Sequence, residues 1–257
     1  MNRQQLINTF NDTLEIAKQF PPQTAISVKY NGLLQNYVPR VQDVQTSISI
    51  LNSDCLVEAA RLESVESVAS VASVASFKNN IGVLNMASDM CPGGGVKNGS
   101  RAQEEDICRR TTLYPTLLTH RYPLKPLELI YSPDIAILKT PEFKTMANKQ
   151  HINVLTMAAI RRPALTKTNT YREHDKALMY DKVCMVLQTA YYHGIDTLVL
   201  GAWGCGAFQN PPHEVAAIFR HFLIDGPFKC VFRHVSFAIL ERGPEPLGNA
   251  FRSVFQK

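Results

Sequence analysis

Residues 81–117 read IGVLNMASDMCPGGGVKNGSRAQEEDICRRTTLYPTL. Ile81 to Met86 is a short apolar run of strand length, interrupted only by Asn85. After it come three glycines in succession, Gly93, Gly94 and Gly95. Glycine loses more backbone freedom on folding than any other residue, and it is used where the chain must approach something that a Cβ would exclude. Ser100 and Gln103 then stand at the spacing of a capping box, which predicts a helix with Ser100 as its cap. That helix would carry Gln103, Glu104 and Glu105 in its first turn. Strand, glycine loop and helix in this order turn backbone N–H groups toward a phosphate.

A second segment repeats the plan. Thr197 to Leu200 is a fully apolar strand, and Gly201-Ala202-Trp203-Gly204-Cys205-Gly206-Ala207-Phe208 follows it. Asn210 and Pro211 are expected to cap and begin the next helix. Two such loops at the strand ends of an open α/β sheet can line one crevice and take a ligand with two phosphates. Neither has the spacing of a P-loop or a dinucleotide fingerprint, so tight turns without a ligand are the competing reading of each loop alone.

The remaining chain alternates apolar strands with amphipathic helices. Leu6, Phe10, Leu14 and Ala17 share a helical face within residues 2–18, ended by Pro21-Pro22. Val44 to Leu51 reads as a strand, and Asn52-Ser53-Asp54 offers a cap for a helix over 55–62. More strand material lies at Leu129–Leu138, broken near Pro133, at Ile152–Ile160 and at Val235–Leu240. Helical faces are formed by Met179, Val183, Val186, Leu187 and Ala190, and by Val215, Phe219, Phe222 and Leu223. This interleaving implies an α/β fold with a sheet covered on both faces. Residues 64–76, SVESVASVASVAS, form a three-residue repeat expected to be a loose helix or a strand-like insert, with no function assigned.

With 45% hydrophobic and 19% charged residues in a chain of 257, a substantial core is expected and disorder is excluded for most of the chain. The formal charge of +5 suits an acidic ligand but is too small to identify one. Six cysteines without a C-x-x-C pair read as free thiols in a reducing compartment, with no zinc site. No secretory signal opens the sequence, and no apolar run approaches the roughly 20 residues that span a bilayer. A soluble, cytoplasmic protein is expected, with a nuclear location also open.

Glu104 and Glu105 are neighbours, so on a helix they point about 100° apart and can do different jobs. A helix N-terminus favours charged carboxylates, which by itself accounts for many such pairs. A general acid must instead keep its proton, and burial with nearby substrate phosphates would act in that direction.

The spacing from Gly93-Gly94-Gly95 to Gln103-Glu104-Glu105, the run from Asn85 to Leu117, and the loop GAWGCGAFQNPP at 201–212 together resemble bacterial-type poly(ADP-ribose) glycohydrolases. The resemblance covers about residues 45–242. It implies a macrodomain-like α/β fold, a mixed β-sheet sandwiched between helices, with an N-terminal helical extension over 1–43 and the catalytic domain over 44–257. It implies poly(ADP-ribose), or ADP-ribosylated protein, as substrate. By position Glu105 matches the catalytic acid, and Glu104 the glutamate that holds ribose hydroxyls. Gly93, Gly94, Gly95, Val96 and Gln103 would lie along the terminal ribose and diphosphate. Gly204, Cys205, Gly206, Ala207 and Phe208 would cradle the diphosphate, the Phe208 ring positioning the terminal ribose. No cofactor, metal, membrane or nucleic-acid partner is implied, and a monomer is expected. Met86 departs from the Phe of the bacterial pattern, and Asp89-Met90-Cys91 is also unlike it. Competing readings are a mono-ADP-ribosyl hydrolase, a non-catalytic ADP-ribose-binding module, and a thiol hydrolase pairing Cys205 with His174, His213 or His221. Tyr114, Tyr122 and Tyr171 are candidates to orient adenine. The pairs Arg109-Arg110 and Arg161-Arg162 read as solvated or phosphate-facing.

Overall fold

The computed structural model describes residues 1–20, 27–35, 39, 45–69, 80–241 and 246–256, the last five of 45–69 by their backbone alone. The strands are β1 (Val28–Asn31), β2 (Ser47–Leu51), β3 (Ile81–Met86), β4 (Glu128–Lys139), β5 (Thr145–Met157), β6 (Thr197–Leu200) and β7 (His234–Ala238). The helices are α1 (Arg3–Ala17), α2 (Cys55–Ala69), α3 (Gln103–Arg110), α4 (Leu113–Leu117), α5 (Glu173–Tyr192), α6 (Pro212–Arg220) and α7 (Leu247–Phe255). The strand order is β1-β4-β5-β3-β6-β7-β2. Pairing is antiparallel at the β1 end and parallel at the β2 end, so the sheet is mixed, as expected. The chain divides into two compact units.

The first unit comprises Met1–Asn31 and Asn85–Ala158. Its frame is the long antiparallel hairpin of β4 and β5, with β1 added along β4. The break expected near Pro133 is a register shift between Ser132 and Ile135, with Asp134 at φ +53°. Proline cannot donate to a ladder, so a strand tolerates it at such an irregularity. At α1, Asn2 Oδ1 accepts the Gln5 N–H at 2.9 Å and Gln5 Oε1 accepts the Asn2 N–H at 2.7 Å, a complete capping box. The helix buries Leu6, Phe10, Thr13 and Ala17 and packs against α3. Lys139, buried on β4, reaches Asp12 of α1 at 2.6 Å. The segment expected to be a helical extension thus also supplies a strand, β1. Pro21-Pro22 lies outside the described residues.

The second unit comprises Gly32–Leu84 and Ala159–Lys257. Here the start of β3 pairs with β6, β6 with β7, and β7 with β2, all parallel. Every residue of β6 is buried, as expected of a parallel strand covered on both faces. Helix α2 packs on β6 and β7, and α7 packs on β2 and α6. Asp54 is the cap that the sequence offered: its Oδ1 accepts the Leu56 and Val57 N–H groups at 2.9 and 3.0 Å. The first part of the Ser-Val-Ala tract, 64–69, continues α2, while 70–76 lies outside the described residues. Among the described residues no helix is long and apolar enough to cross a membrane.

Candidate active site

The apolar strand β3 delivers the chain to the first glycine loop, and α3 returns beneath it. The helix starts later than expected. Its cap is Ala102, with no side-chain cap bond, so Ser100 does not form the predicted capping box. Gln103 is instead the first helical residue, and its Oε1 accepts the Met86 N–H at 2.8 Å. Glu104 Oε2 accepts the Ser88 N–H at 2.7 Å, and its carboxylate also takes the Gly93 N–H. Glu105 Oε1 accepts the Gly95 N–H at 2.8 Å. Three consecutive side chains of one helical turn therefore hold the backbone from the end of β3 to the third glycine.

The glycines are required by this packing. Gly93 and Gly94 have φ of +69° and +53°. A Cβ on Gly94 would lie 2.6 Å from Glu105 Oε1 and 3.0 Å from Glu104 Oε2. A Cβ on Gly93 would lie 2.7 Å from the Tyr114 ring. Tyr114 is itself buried and meets Phe10 of α1 edge to face at 4.9 Å. Tyr114, a candidate to orient adenine, is thus part of the support under the loop. Val96 is fully buried beside the glycines.

Both carboxylates are withdrawn from water, Glu104 being 2% and Glu105 6% exposed. Burial pushes Glu104 up to about 8, against the Ser88 and Gly93 N–H bonds, and the adjacent negative charge of Glu105 adds to the rise. At neutral pH Glu104 keeps a proton. Asn85 Nδ2 stands 3.5 Å from Glu104 Oε1 and 3.2 Å from Thr156 Oγ1. Among the described residues, Glu105 Oε2 is buried with no hydrogen-bond partner, while its other oxygen is pinned. Such a carboxyl has one oxygen fixed for orientation and one left for chemistry.

Arg109 and Arg110 correct the expectation of solvated arginines, being 1% and 3% exposed. Arg109 Nε donates to Leu6 O of α1 at 3.3 Å, and its Nη2 donates to Ser100 O. One cation thereby joins α1, the loop and α3. Its charge also faces Glu105. Arg110 pairs with Asp106 at 2.8 Å.

The second loop, Gly201–Phe208, joins β6 to α6 in the other unit. Its helix also begins later than expected, here by one residue, with Pro211 as cap and Pro212 first. Asn210, expected as the cap, is 2% exposed and bonds the loop itself. Gly204 has φ +74°, and a Cβ there would lie 2.5 Å from both Ala159 Cβ and Asn210 Nδ2. Among the described residues, the N–H groups of Gly206, Ala207 and Phe208 have no backbone acceptor. Nothing lies within 4 Å of a Cβ built on Gly206. The Phe208 carbonyl accepts the Arg162 N–H at 2.8 Å, and the Arg161 guanidinium stacks 4.4 Å from the Phe208 ring centre.

Cys205 is unsuited to nucleophilic work. Burial pushes its thiol up to about 12, and Sγ donates to Trp203 O at 3.6 Å. Of its candidate histidine partners, His174 contacts Asp175 and His221 contacts Tyr180. Among the described residues no three His, Cys, Asp or Glu side chains are gathered to hold a metal ion.

Asn85, Ser88 and Asn210 are the site residues that motif reading passed over. Asn85 carried a signal, since a polar residue in an otherwise apolar central strand needs a buried partner.

The chain matches the family described as the microbial-type PARG catalytic domain, PARG being poly(ADP-ribose) glycohydrolase, over residues 1–140. No curated protein matches it. Among solved structures, it is similar to poly(ADP-ribose) glycohydrolase from Thermomonospora curvata, with 28% identity, a TM-score of 0.84, and 98% of this chain and 100% of that one covered. The same enzyme bound to the inhibitor ADP-HPD gives 27% identity and a TM-score of 0.80, covering 98% and 99%. The Deinococcus radiodurans enzyme in complex with ADP-ribose gives 28% identity and a TM-score of 0.75, covering 92% and 98%. The chain belongs to the microbial-type poly(ADP-ribose) glycohydrolases, glycosidases that act on poly(ADP-ribose).

Proposed function

We propose that Glu105 is the general acid and base of this glycohydrolase and that the reaction releases ADP-ribose by cleaving the ribose–ribose O-glycosidic bond. The supporting observation is the asymmetry of one buried carboxyl: Oε1 is anchored to the Gly95 N–H and Oε2 is unpartnered among the described residues. With the substrate diphosphate bound nearby, Glu105 enters the reaction as the carboxylic acid, its proton taken up from water, and gives that proton to the departing ribose oxygen as the anomeric C–O bond breaks. Positive charge develops on the sugar as an oxocarbenium ion. Water then attacks the anomeric carbon, and the Glu105 carboxylate takes the proton that water loses, so the enzyme returns to its starting state. Most glycosidases divide these tasks between two carboxylates. Here one residue performs both, and the substrate's own diphosphate helps to stabilise the cation.

Glu104, neutral and fixed by the Ser88 and Gly93 N–H groups, holds ribose hydroxyls. Gly93–Gly95, Val96 and Gln103 shape the ribose side. The Gly204–Phe208 loop takes the diphosphate, a role suited to its unpartnered N–H groups. In this reading residues 44–257 form the macrodomain-like catalytic part, residues 1–43 extend it, and the protein works as a cytoplasmic monomer without nucleic acid.

Replacing Glu105 by Ala is expected to abolish release of ADP-ribose from the polymer, while ADP-ribose still raises the melting temperature. Polymer turnover at the wild-type rate would refute the assignment. A purely binding module is excluded if wild type releases ADP-ribose, and a mono-ADP-ribosyl hydrolase is favoured only if single adducts are cleaved in preference to polymer.

A further inference from the structure

A buried polar pair outside the carboxylates controls the shape of the second loop. Asn210 Nδ2 donates to Ile160 O at 2.7 Å and to Gly204 O at 3.0 Å, with Phe208 O at 3.5 Å. Its backbone N–H also donates to Gly204 O at 3.0 Å. One side chain therefore bonds the first and last residues of the Gly204–Phe208 turn and ties both to the strand-end segment at Ile160. Asn210 Oδ1 accepts the Tyr171 hydroxyl at 2.7 Å.

Tyr171 is 5% exposed and is held from both sides in sequence. Its backbone bridges Leu165, and Arg172, the next residue, caps α5. The phenol is pushed well above its usual range by burial, with the Glu214 and Asp175 carboxylates adding. At neutral pH it is a hydroxyl, and it donates to Asn210 Oδ1. The carbonyls set the amide: Nδ2 must face them, which leaves Oδ1 to accept the Tyr171 hydroxyl. The reverse orientation would set an oxygen against three oxygens.

We infer that Asn210 and Tyr171 are positioning residues for diphosphate recognition, holding the loop in the conformation that leaves the Gly206, Ala207 and Phe208 N–H groups available to the substrate. This rests on the assignment of that loop to the diphosphate. Neither side chain needs to touch substrate. Each acts through the backbone, so the effect belongs to binding in the ground state and transition state alike, and appears in KM rather than in kcat.

The test compares wild type, Tyr171→Phe, Asn210→Asp and Gly206→Ala by KM and kcat on poly(ADP-ribose) and by ADP-ribose titration. All are measured well below the melting temperature of each variant. Tyr171→Phe is expected to raise KM and the ADP-ribose Kd by about 5- to 10-fold, with kcat within about twofold, the scale of one buried hydrogen bond. Asn210→Asp, which presents an acceptor to the loop carbonyls, is expected to raise Kd by about 100-fold. Gly206→Ala adds a methyl in open space and separates the two levels of the claim. If it raises Kd while Tyr171→Phe lowers only the melting temperature, the pair is structural and the inference is overturned, with the loop assignment intact. If Gly206→Ala leaves Kd and KM unchanged, the loop assignment itself falls, and the inference with it.

Discussion

The two glycine loops look alike in sequence and differ in where their N–H groups go. In the first, Gly93 and Gly95 N–H groups are given to the glutamates, and the Gly94 N–H goes to Cys91 O at 3.2 Å. In the second, the corresponding groups at Gly206, Ala207 and Phe208 have no acceptor among the described residues. The first loop is thus an internal clamp that holds two carboxylates out of water. The second keeps its donors open, which suits the diphosphate role proposed for it. Glycine is needed in both, but for packing in one and for access in the other. A glycine-rich turn is therefore not by itself an anion site: what decides is whether side chains of the same unit have already taken its donors.

The contrast can be broken most severely at Gly94. Alanine there must adopt a left-handed backbone and push on both carboxylates. The expected result is a loss of about 100-fold in kcat, the scale of an ångström-level misplacement, with a clear fall in melting temperature. Gly206→Ala should do the opposite: no change in melting temperature, and a rise of about 10-fold in KM from one methyl in the ligand's path. If both substitutions gave the same combination of kinetic and thermal effects, the distinction between clamp and cradle would fail.

A subtler consequence concerns pH. Burial holds Glu104 in the folded protein at about 8, well above the ordinary range of a glutamate. The folded state therefore binds the proton more tightly than the unfolded chain. Its contribution is fully present below the unfolded value and is lost as pH rises toward 8. Thermal stability should fall between about pH 5 and 8, and Glu104→Gln, which cannot ionise, should flatten that slope. An unchanged slope in the variant would show that Glu104 does not carry the retained proton. The smallest effect is expected of Arg161→Ala, which removes the cation stacked on Phe208. It should weaken ADP-ribose binding by about threefold, in keeping with roughly 0.5–1 kcal/mol for an exposed stacking contact.

Much of this was legible in the chain itself. The apolar runs at 81–86 and 197–200, each followed by glycines, gave β3, β6 and the loops after them. The Gln103-Glu104-Glu105 triplet fell in the first helical turn, as expected. What could not be read depends on partners distant in sequence. Ser100 has the spacing of a cap, yet its carbonyl is taken by Arg109 and the helix starts three residues on. Asn210 stands before two prolines, either of which can begin a helix, so spacing could not say which does. Arg109 and Arg110 read as solvated or phosphate-facing because charged residues are seldom fully buried. The carbonyl of Leu6 and the carboxylate of Asp106, which make their burial tolerable, become visible only in the fold. β1, α4 and α7 are harder to read, since Lys29 and Asn31 interrupt the apolar residues of β1, Pro115 stands inside α4, and Pro246 and Gly248 flank the first residue of α7.

In the reaction proposed for Glu105, one anchored, buried carboxyl presents its second oxygen to the scissile bond. A crystal structure of the protein with ADP-ribose bound tests this directly. Glu105 Oε2 should lie within hydrogen-bond reach, about 2.6–3.2 Å, of the oxygen on the anomeric carbon of the terminal ribose, with Oε1 still on the Gly95 N–H. A nucleotide seated with its anomeric carbon far from Glu105, or a Glu105 side chain released from Gly95 and turned to solvent, would contradict it.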